Sequence, residues 1–122
     1  MSSSPTGMDA EDGKIVTLAR GARLRAHAPH TGVAEGAAVR DTEGRTYAAA
    51  TVENADPALT TSALRAAVAA AASSGARAFE AAAVVTESPV SDSDLAVLRE
   101  FGTGVPLLVA GPDGALRETR HS

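Results

Sequence analysis

The core of this chain has to be built from small apolar side chains, and no other feature of the sequence constrains the fold as strongly. Hydrophobic residues make up 44% of the 122 residues, whereas aromatic residues make up only 2% and tryptophan is absent. Alanine, valine and leucine must therefore fill the interior, where each contributes little buried area. The length fits one domain of ordinary size. We expect modest stability for a lone monomer.

The charge and the cysteine content exclude several classes of function. The net charge is −4, and no basic stripe occurs that would bind nucleic acid. The chain contains no cysteine, so disulfides, thiolate nucleophiles and cysteine-ligated zinc are excluded. The sequence shows neither a leader pattern nor an apolar run of membrane-spanning length. These observations predict a cytoplasmic protein with no nucleic-acid or membrane partner.

The first half of the chain predicts a tail, a helix and a hairpin. Residues 1–13 are small, polar and acidic, which is typical of a flexible tail. Apolar residues at helical spacing predict a helix over about 14–27. Two extended runs, 33–40 and 45–53, flank the turn sequence Asp41–Gly44 and predict a β-hairpin.

The second half alternates helices with strands. The alanine-rich segment 59–74 predicts the clearest helix, with Thr60 or Thr61 as its N-cap and Gly75 at its C-terminal end. A strand is predicted over 79–86, followed by a helix that runs to about 101 and has Ser91 or Asp92 as its N-cap. A strand over 105–110 and an edge strand over 115–119 complete the prediction. This order predicts one α/β domain over 14–119 in three layers around a mixed sheet, with 120–122 as a C-terminal tail.

Several phrases, taken in order, resemble the zinc-dependent cytidine deaminases. Ala28-Pro29-His30-Thr31 followed by Gly36-Ala37-Ala38 is similar to the family's APYS…VGAA stretch. Residues 52–55 read VENA, like a turn of that family, and 59–67 (LTTSALRAA) resemble its LTxCAER helix start. The resemblance covers about 26–119. It implies an α/β/α cytidine-deaminase-like fold around a mixed five-stranded sheet.

The resemblance also implies that the usual catalytic groups are missing. In that family, zinc held by one Cys or His and by a P-C-x-x-C motif activates water, and a nearby glutamate carries protons. Ser62 stands at the first ligand position, Leu64 at the glutamate position, and 89–94 (PVSDSD) replaces the cysteine motif. We therefore expect no catalytic residue of the usual kind, no metal ligand and no zinc. The remaining candidate ligands are also explained as helix-end or surface residues: His27, His30, Asp92 and Asp94.

A residual nucleoside cleft follows from the same resemblance. Val33 stands at the aromatic position of the family's pocket, and Thr51 stands at the asparagine of its N-x-E-N phrase. Glu53 and Asn54 persist, and Ala63 lies in the helix start. Glu53 can accept a hydrogen bond from a sugar hydroxyl, or it can stabilise the turn together with Asn54. Because apolar residues replace the ring and the acid, we expect a smaller and drier cleft than in an active deaminase.

Two functions of different classes are compatible with these observations. The joint loss of the metal ligands and the acid predicts a catalytically inactive pseudoenzyme. Such a protein would be a binding or assembly module for a nucleoside-like molecule or a protein partner. The alternative is a cytidine deaminase, converting cytidine or deoxycytidine to uridine or deoxyuridine through a non-standard site. For either function the resemblance favours a homo-oligomer, a dimer or a tetramer. An unrelated chemistry in the same cleft has no motif to support it.

Overall fold

In the part of the chain that the structure describes, three α-helices pack around one mixed five-stranded sheet, as predicted. The computed structural model describes residues 8–122. Its elements are α1 (Ala10–Arg23), β1 (Gly36–Asp41), β2 (Thr46–Ala50), a short 3₁₀ helix (Pro57–Leu59), α2 (Ala63–Ser73), β3 (Phe79–Val85), α3 (Asp92–Arg99), β4 (Pro106–Ala110) and β5 (Leu116–His121). The strand order is β2-β1-β3-β4-β5, in which β3 and β4 run parallel and every other pair is antiparallel. No helix among the described residues is long and apolar enough to span a membrane.

The two faces of the sheet carry separate apolar cores. Helix α1 buries Ile15 and Ala19 against one face, where Ala38 of β1 lies. Helices α2 and α3 cover the other face, where Ala37 and Val39 of β1 point. Adjacent strand residues point to opposite faces, so β1 serves both cores with small side chains.

Gly36 shows how closely these small residues bring the layers together. A Cβ atom at Gly36 would collide with the backbone oxygen of Ala19 and the backbone nitrogen of Arg23. Only glycine therefore allows α1 to lie this close to the start of β1. This contact fixes the backbone beside Glu35, which borders the cleft described below.

Both ends of the domain differ from the predicted boundaries. Helix α1 begins at Ala10 because the carboxylate of Asp9 accepts a hydrogen bond from the backbone nitrogen of Asp12, at 2.8 Å. It ends at Arg23, about one turn before the predicted end. Residues 1–7 of the predicted tail lie outside the described residues. At the other end, β5 continues to His121 because β4 offers it backbone partners that far along.

The capping residues explain the remaining boundaries. Ser62 caps α2, rather than Thr60 or Thr61, because its Oγ accepts from the backbone nitrogen of Arg65 at 3.3 Å. Helix α3 begins after Ser91, one of the two predicted caps. Gly75 follows α2 with a φ of 108°, the left-handed conformation expected at a helix end.

Candidate functional site

A cleft opens where the N-termini of α2 and α3 meet the start of β1 and the end of β3. It consists of two adjoining cavities. The first, here named the helix-end cavity, measures about 270 Å³ and includes Ser62, Leu64 and Asp94 in its lining. The second, here named the loop-side cavity, measures about 370 Å³ and lies against the segments that carry Thr31 and Glu53. Glu35, Pro57, Thr60 and Ser62 line both cavities, so the two form one continuous cleft.

Two helix caps bring polar groups together in the helix-end cavity. The hydroxyl of Ser62, which caps α2, donates a hydrogen bond to Oδ1 of Asp94 at 2.8 Å. The backbone nitrogen of Asp94 donates in turn to Oγ of Ser91, the cap of α3, at 3.1 Å. Asp94 therefore serves the first turn of α3, as predicted for a helix-end residue, and its carboxylate also reaches Ser62. The sequence did not predict this contact, because it joins residues 32 positions apart.

Glu35 is the acidic residue that sequence reasoning missed. Its Oε2 accepts a hydrogen bond from the hydroxyl of Thr86 at 2.7 Å, and Thr86 is fully buried at the end of β3. The same hydroxyl oxygen accepts from the backbone nitrogen of Ser88 at 2.9 Å. On the backbone, the nitrogen of Glu35 donates to Oγ1 of Thr51 at 3.1 Å. A lone acidic residue directly before Gly36, where the resembled phrase VGAA has valine, was the available signal.

Glu53 lies in the loop-side cavity and holds the adjacent loop. One carboxylate oxygen accepts from the backbone nitrogens of His30 at 2.6 Å and of Thr31 at 3.1 Å. The other accepts from the Thr31 hydroxyl. The hydroxyl of Thr31 lowers the pKa of Glu53 below its ordinary value, and the backbone N–H groups add to this against the opposing effect of burial. Glu53 therefore stabilises the loop of His30 and Thr31 rather than its own turn, which was the role considered for it, and it also lines the cavity.

Of the other residues predicted to bind a nucleoside, some line the loop-side cavity and one is buried in the core. Val33, Thr51 and Asn54 line the loop-side cavity together with Glu53. Ala63, by contrast, is fully buried in the core at the start of α2 and is not among the lining residues. Asn54 also accepts from the backbone nitrogen of Asp56 at 2.9 Å, which is the turn role considered for it. Four of the five predicted residues thus meet in one place.

The apolar replacements do not close the cleft. Leu64 is 1% exposed and belongs to the core beneath the helix-end cavity, while Val33 is 46% exposed beside the loop-side cavity. Hydroxyl and carboxylate groups, including those of Ser62 and Asp94, also line the helix-end cavity. These two side chains therefore lie under and beside the open space, and the cleft stays open.

The donor atoms of the cleft do not fit zinc as the resembled family holds it. Among residues 8–122, no group of three or more His, Cys, Asp or Glu side chains can hold a metal ion. Ser62, Asp94 and Glu35 offer only oxygen atoms, whereas structural and catalytic zinc prefers sulfur and imidazole ligands. Asp92 lines neither cavity, and its side chain is fully exposed with Oδ1 4.0 Å from the guanidinium of Arg120. His30 lines the loop-side cavity, but His27 lines neither cavity.

Comparison with known proteins gives the family of this chain. Residues 8–114 match the family model described as cytidine deaminase-like. The chain belongs to that family. A cytidine deaminase of Sporosarcina psychrophila is 35% identical over 117 residues, which cover 92% of this chain and 85% of the relative.

Solved structures of the family have the same fold. The crystal structure of cytidine deaminase from Burkholderia pseudomallei matches with a TM-score of 0.82 and 28% identity, over 88% of this chain and 90% of that one. Cytidine deaminase from Mycobacterium tuberculosis matches with a TM-score of 0.75 and 29% identity, over 90% of this chain and 91% of that one. The predicted three-layer fold is thereby confirmed.

These relatives correct the expectation of an inactive binding or assembly module. The proteins that match over most of their length are named as cytidine deaminases, and one of them is 35% identical. The hypothesis of an inactive protein depended on Ser62, Leu64 and the missing cysteine motif at 89–94, and it did not consider Glu35, which the fold brings to the cleft. The alternative, hydrolysis of the family's kind, is the better supported function.

Proposed function

We propose that this protein hydrolytically deaminates cytidine or deoxycytidine through a site that lacks the metal ligands of the resembled family. One observation carries the proposal: a single cleft joins the loop-side cavity, which Glu53 borders, to a helix-end cavity with two carboxylates, Glu35 and Asp94. The cleft lies in a chain that is 35% identical to a named cytidine deaminase. Its two parts are each suited to one part of a nucleoside.

The loop-side cavity suits the sugar. Its volume of about 370 Å³ lies within the ordinary range of roughly 300–1,000 Å³ for small-molecule sites. We assign nucleoside contacts to the lining residues Val33, Thr51, Glu53 and Asn54. Ala63 has a buried side chain, so its contribution would be the free backbone N–H at the first turn of α2.

The helix-end cavity suits the attack of water on the base. The oxygen of water bonds to C4 of the ring while one water proton passes to a carboxylate and then to N3. The C4–N4 bond then breaks, the hydroxyl proton goes to N4, and ammonia leaves as the C4 carbonyl forms. Carboxylates can carry these protons because they accept and return them at fixed hydrogen-bonding distances. Cytidine and water thus become uridine and ammonia.

The proposed site works without zinc. Ser62 and Leu64 replace the first ligand and the family's proton-carrying glutamate, and residues 89–94 contain no cysteine. Zinc would lower the pKa of bound water to about 7, so without it we expect a kcat several orders of magnitude below that of a zinc-dependent relative. We expect the remaining turnover to be insensitive to chelators.

The deciding experiment measures uridine and ammonia together. The protein, produced in a host that lacks its own cytidine deaminase, is incubated with cytidine and with deoxycytidine, with and without chelator. We expect equal amounts of both products, at the same rate with chelator. An Asp94→Asn variant purified in the same way is the matched control, because a contaminating enzyme would be equally active in both preparations. A wild-type rate no higher than the uncatalysed rate would refute the proposal.

We also propose that the active form is a homo-oligomer. Val52 and Leu59 expose 55% and 63% of their surfaces beside the segment that leads into α2. Large apolar side chains exposed together favour a protein contact. Sedimentation equilibrium of the wild type and of a Leu59→Ser variant tests this, and a monomer at all concentrations would contradict it.

A further inference from the structure

We propose that Glu35 is the catalytic carboxylate of this cleft and carries the protons between water, N3 and N4 of the base. The proposal rests on the deaminase function proposed above and assigns its central step to one residue. Glu35 lies immediately before β1, outside every segment that the resemblance marks as functional.

The position of Glu35 is the first observation. Asp94 lines only the helix-end cavity and Glu53 lines only the loop-side cavity, whereas Glu35 lines both. A nucleoside whose sugar lies beside Glu53 and whose base reaches the helix ends has to pass Glu35. The carboxylate is therefore placed at the reacting edge of the ring.

The hydrogen bonds of Glu35 are the second observation. Thr86 holds Oε2 at 2.7 Å through a fully buried hydroxyl, while Oε1 has no hydrogen-bond partner among residues 8–122. A catalytic base needs this combination, because one oxygen is oriented and the other is left for the substrate. Glu53 differs, since both of its oxygens are already bonded to the loop.

The backbone around Glu35 is also fixed. Its N–H donates to Oγ1 of Thr51 at 3.1 Å, and its carbonyl accepts from the backbone nitrogen of Thr51 at 3.1 Å. The next residue, Gly36, packs directly against the backbone of α1. A carboxylate on such a rigid segment keeps its position when water and base bind, which lowers the entropic cost of the reaction.

Leu64 supplies the third observation. The resemblance puts leucine where the family has its proton-carrying glutamate, and this leucine lines the same helix-end cavity as Glu35. The acid missing from α2 is thus present on the facing segment, where the resembled phrase VGAA has valine instead. One cavity therefore contains a carboxylate at residue 35 and an apolar side chain at residue 64, the reverse of the pattern that the resemblance implies.

The test compares Glu35→Gln with the wild type in steady-state deamination of cytidine. Glutamine keeps an oxygen for the Thr86 hydroxyl but cannot accept and return a proton. We expect kcat to fall by about 10²- to 10⁴-fold, the usual contribution of a general acid–base, with KM changed only a few-fold. Glu118→Gln is the control, because Glu118 is exposed on β5, lines neither cavity, and should leave both constants unchanged.

Thr86 provides a second pair of variants in case Glu35→Gln fails to fold. Thr86 touches Glu35 rather than the cleft, so it is a positioning residue. Thr86→Val removes the hydroxyl at nearly constant volume and should lower kcat, whereas Thr86→Ser keeps the hydroxyl and should restore most of it. If the role of Thr86 were purely structural, Thr86→Ser would not restore kcat while leaving the other properties of the protein unchanged.

The possible outcomes separate this inference from the proposed function. A loss of kcat in Glu35→Gln, with intact folding by circular dichroism, supports the assignment. Wild-type turnover that Glu35→Gln leaves unchanged overturns the assignment and leaves the deaminase function standing. The absence of wild-type turnover overturns the deaminase function, and the role of Glu35 in it falls as well.

Discussion

The two glutamates of the cleft occupy similar places but are held in opposite ways. Glu53 gives both oxygens to the loop that carries His30 and Thr31, and a lowered pKa accompanies these bonds. Glu35 lines the cleft and accepts from Thr86 with one oxygen, while its other oxygen has no hydrogen-bond partner among residues 8–122. One carboxylate thus organises the walls of the site, and the other is available to a substrate.

This difference shows that a glutamate in a family-like phrase can be committed to the loop, while a glutamate outside the motif keeps an oxygen without a hydrogen-bond partner among residues 8–122. Glu53 belongs to the VENA phrase and was predicted to contact a sugar or to stabilise the turn, yet its oxygens are bonded to His30 and Thr31. Glu35 stands where the resembled phrase VGAA has valine, yet it lines both cavities. Bonding state, rather than membership of a motif, separates the two roles.

The largest expected effect is the loss of kcat in Glu35→Gln. The next largest effect should be a loss of stability in Glu53→Gln. The amide NH₂ group cannot accept a hydrogen bond, so one side of the new side chain would face the N–H donors of His30 and Thr31. We expect the variant to melt several degrees below the wild type at pH 7. Glu35→Gln should melt close to the wild type, because the oxygen that Thr86 needs remains.

The pH dependence of the unfolding free energy provides a second test of the role of Glu53. Because folding lowers the pKa of Glu53, its contribution is fully present above the ordinary value of 4.5 and is lost as the pH falls below it, through the lowered pKa of the folded state. Glu53→Gln should therefore flatten the fall in stability below pH 4.5. Urea unfolding from pH 7 to pH 3 measures this, with Glu118→Gln as the control. Equal slopes in Glu53→Gln and the wild type would show that the carboxylate does not hold the loop.

Much of the fold follows from local sequence chemistry. The turn at Asp41–Gly44 is predictable because Oδ1 of Asp41 accepts from the nitrogens of Glu43 and Arg45, both at 2.9 Å, and Gly44 takes a φ of 86°. The alanines of 63–73 favour a helix on propensity alone. The exact starts of α1 and α2 were missed because several neighbouring Ser, Thr and Asp residues are equally good caps. Tertiary contacts decide which of them is used.

The site could be predicted only where local sequence carries it. Glu53 and Asn54 were found because they lie in one short phrase that resembles a family turn. Glu35 depends on Thr86, which is 51 residues away, and on the antiparallel pairing that sets Gly36 opposite Val85. No local pattern encodes such a long-range contact.

A smaller effect should follow from Ser62→Ala, which tests the hydrogen bond between Ser62 and Asp94 in the helix-end cavity. The substitution removes the N-cap of α2 and should cost about 1 kcal/mol of unfolding free energy. Ser91→Ala is the matched control, because it removes the cap of α3 but leaves the Asp94 carboxylate without a direct change. Both variants should lose similar stability, but only Ser62→Ala takes the hydrogen bond from Asp94 and should also lower kcat. Identical kinetics in the two variants would mean that Ser62 acts as a cap alone.

The smallest effect should be a gain in affinity on replacing Val33 with phenylalanine. Val33 is 46% exposed on the wall of the loop-side cavity, so a larger ring can enter the cavity without displacing the core. An aromatic contact with the base adds roughly 0.5–1.5 kcal/mol, which corresponds to about a two- to twelve-fold lower Kd for cytidine by calorimetry.

Leu24→Phe is the control for Val33→Phe, because Leu24 is 83% exposed and lines neither cavity of the cleft. Tighter binding in Val33→Phe alone would place the base between residue 33 and Glu35, with the sugar beside Glu53. An unchanged Kd would place the base away from residue 33. The loop that Glu53 organises would then hold the sugar alone, and the base would lie wholly in the helix-end cavity beside Glu35.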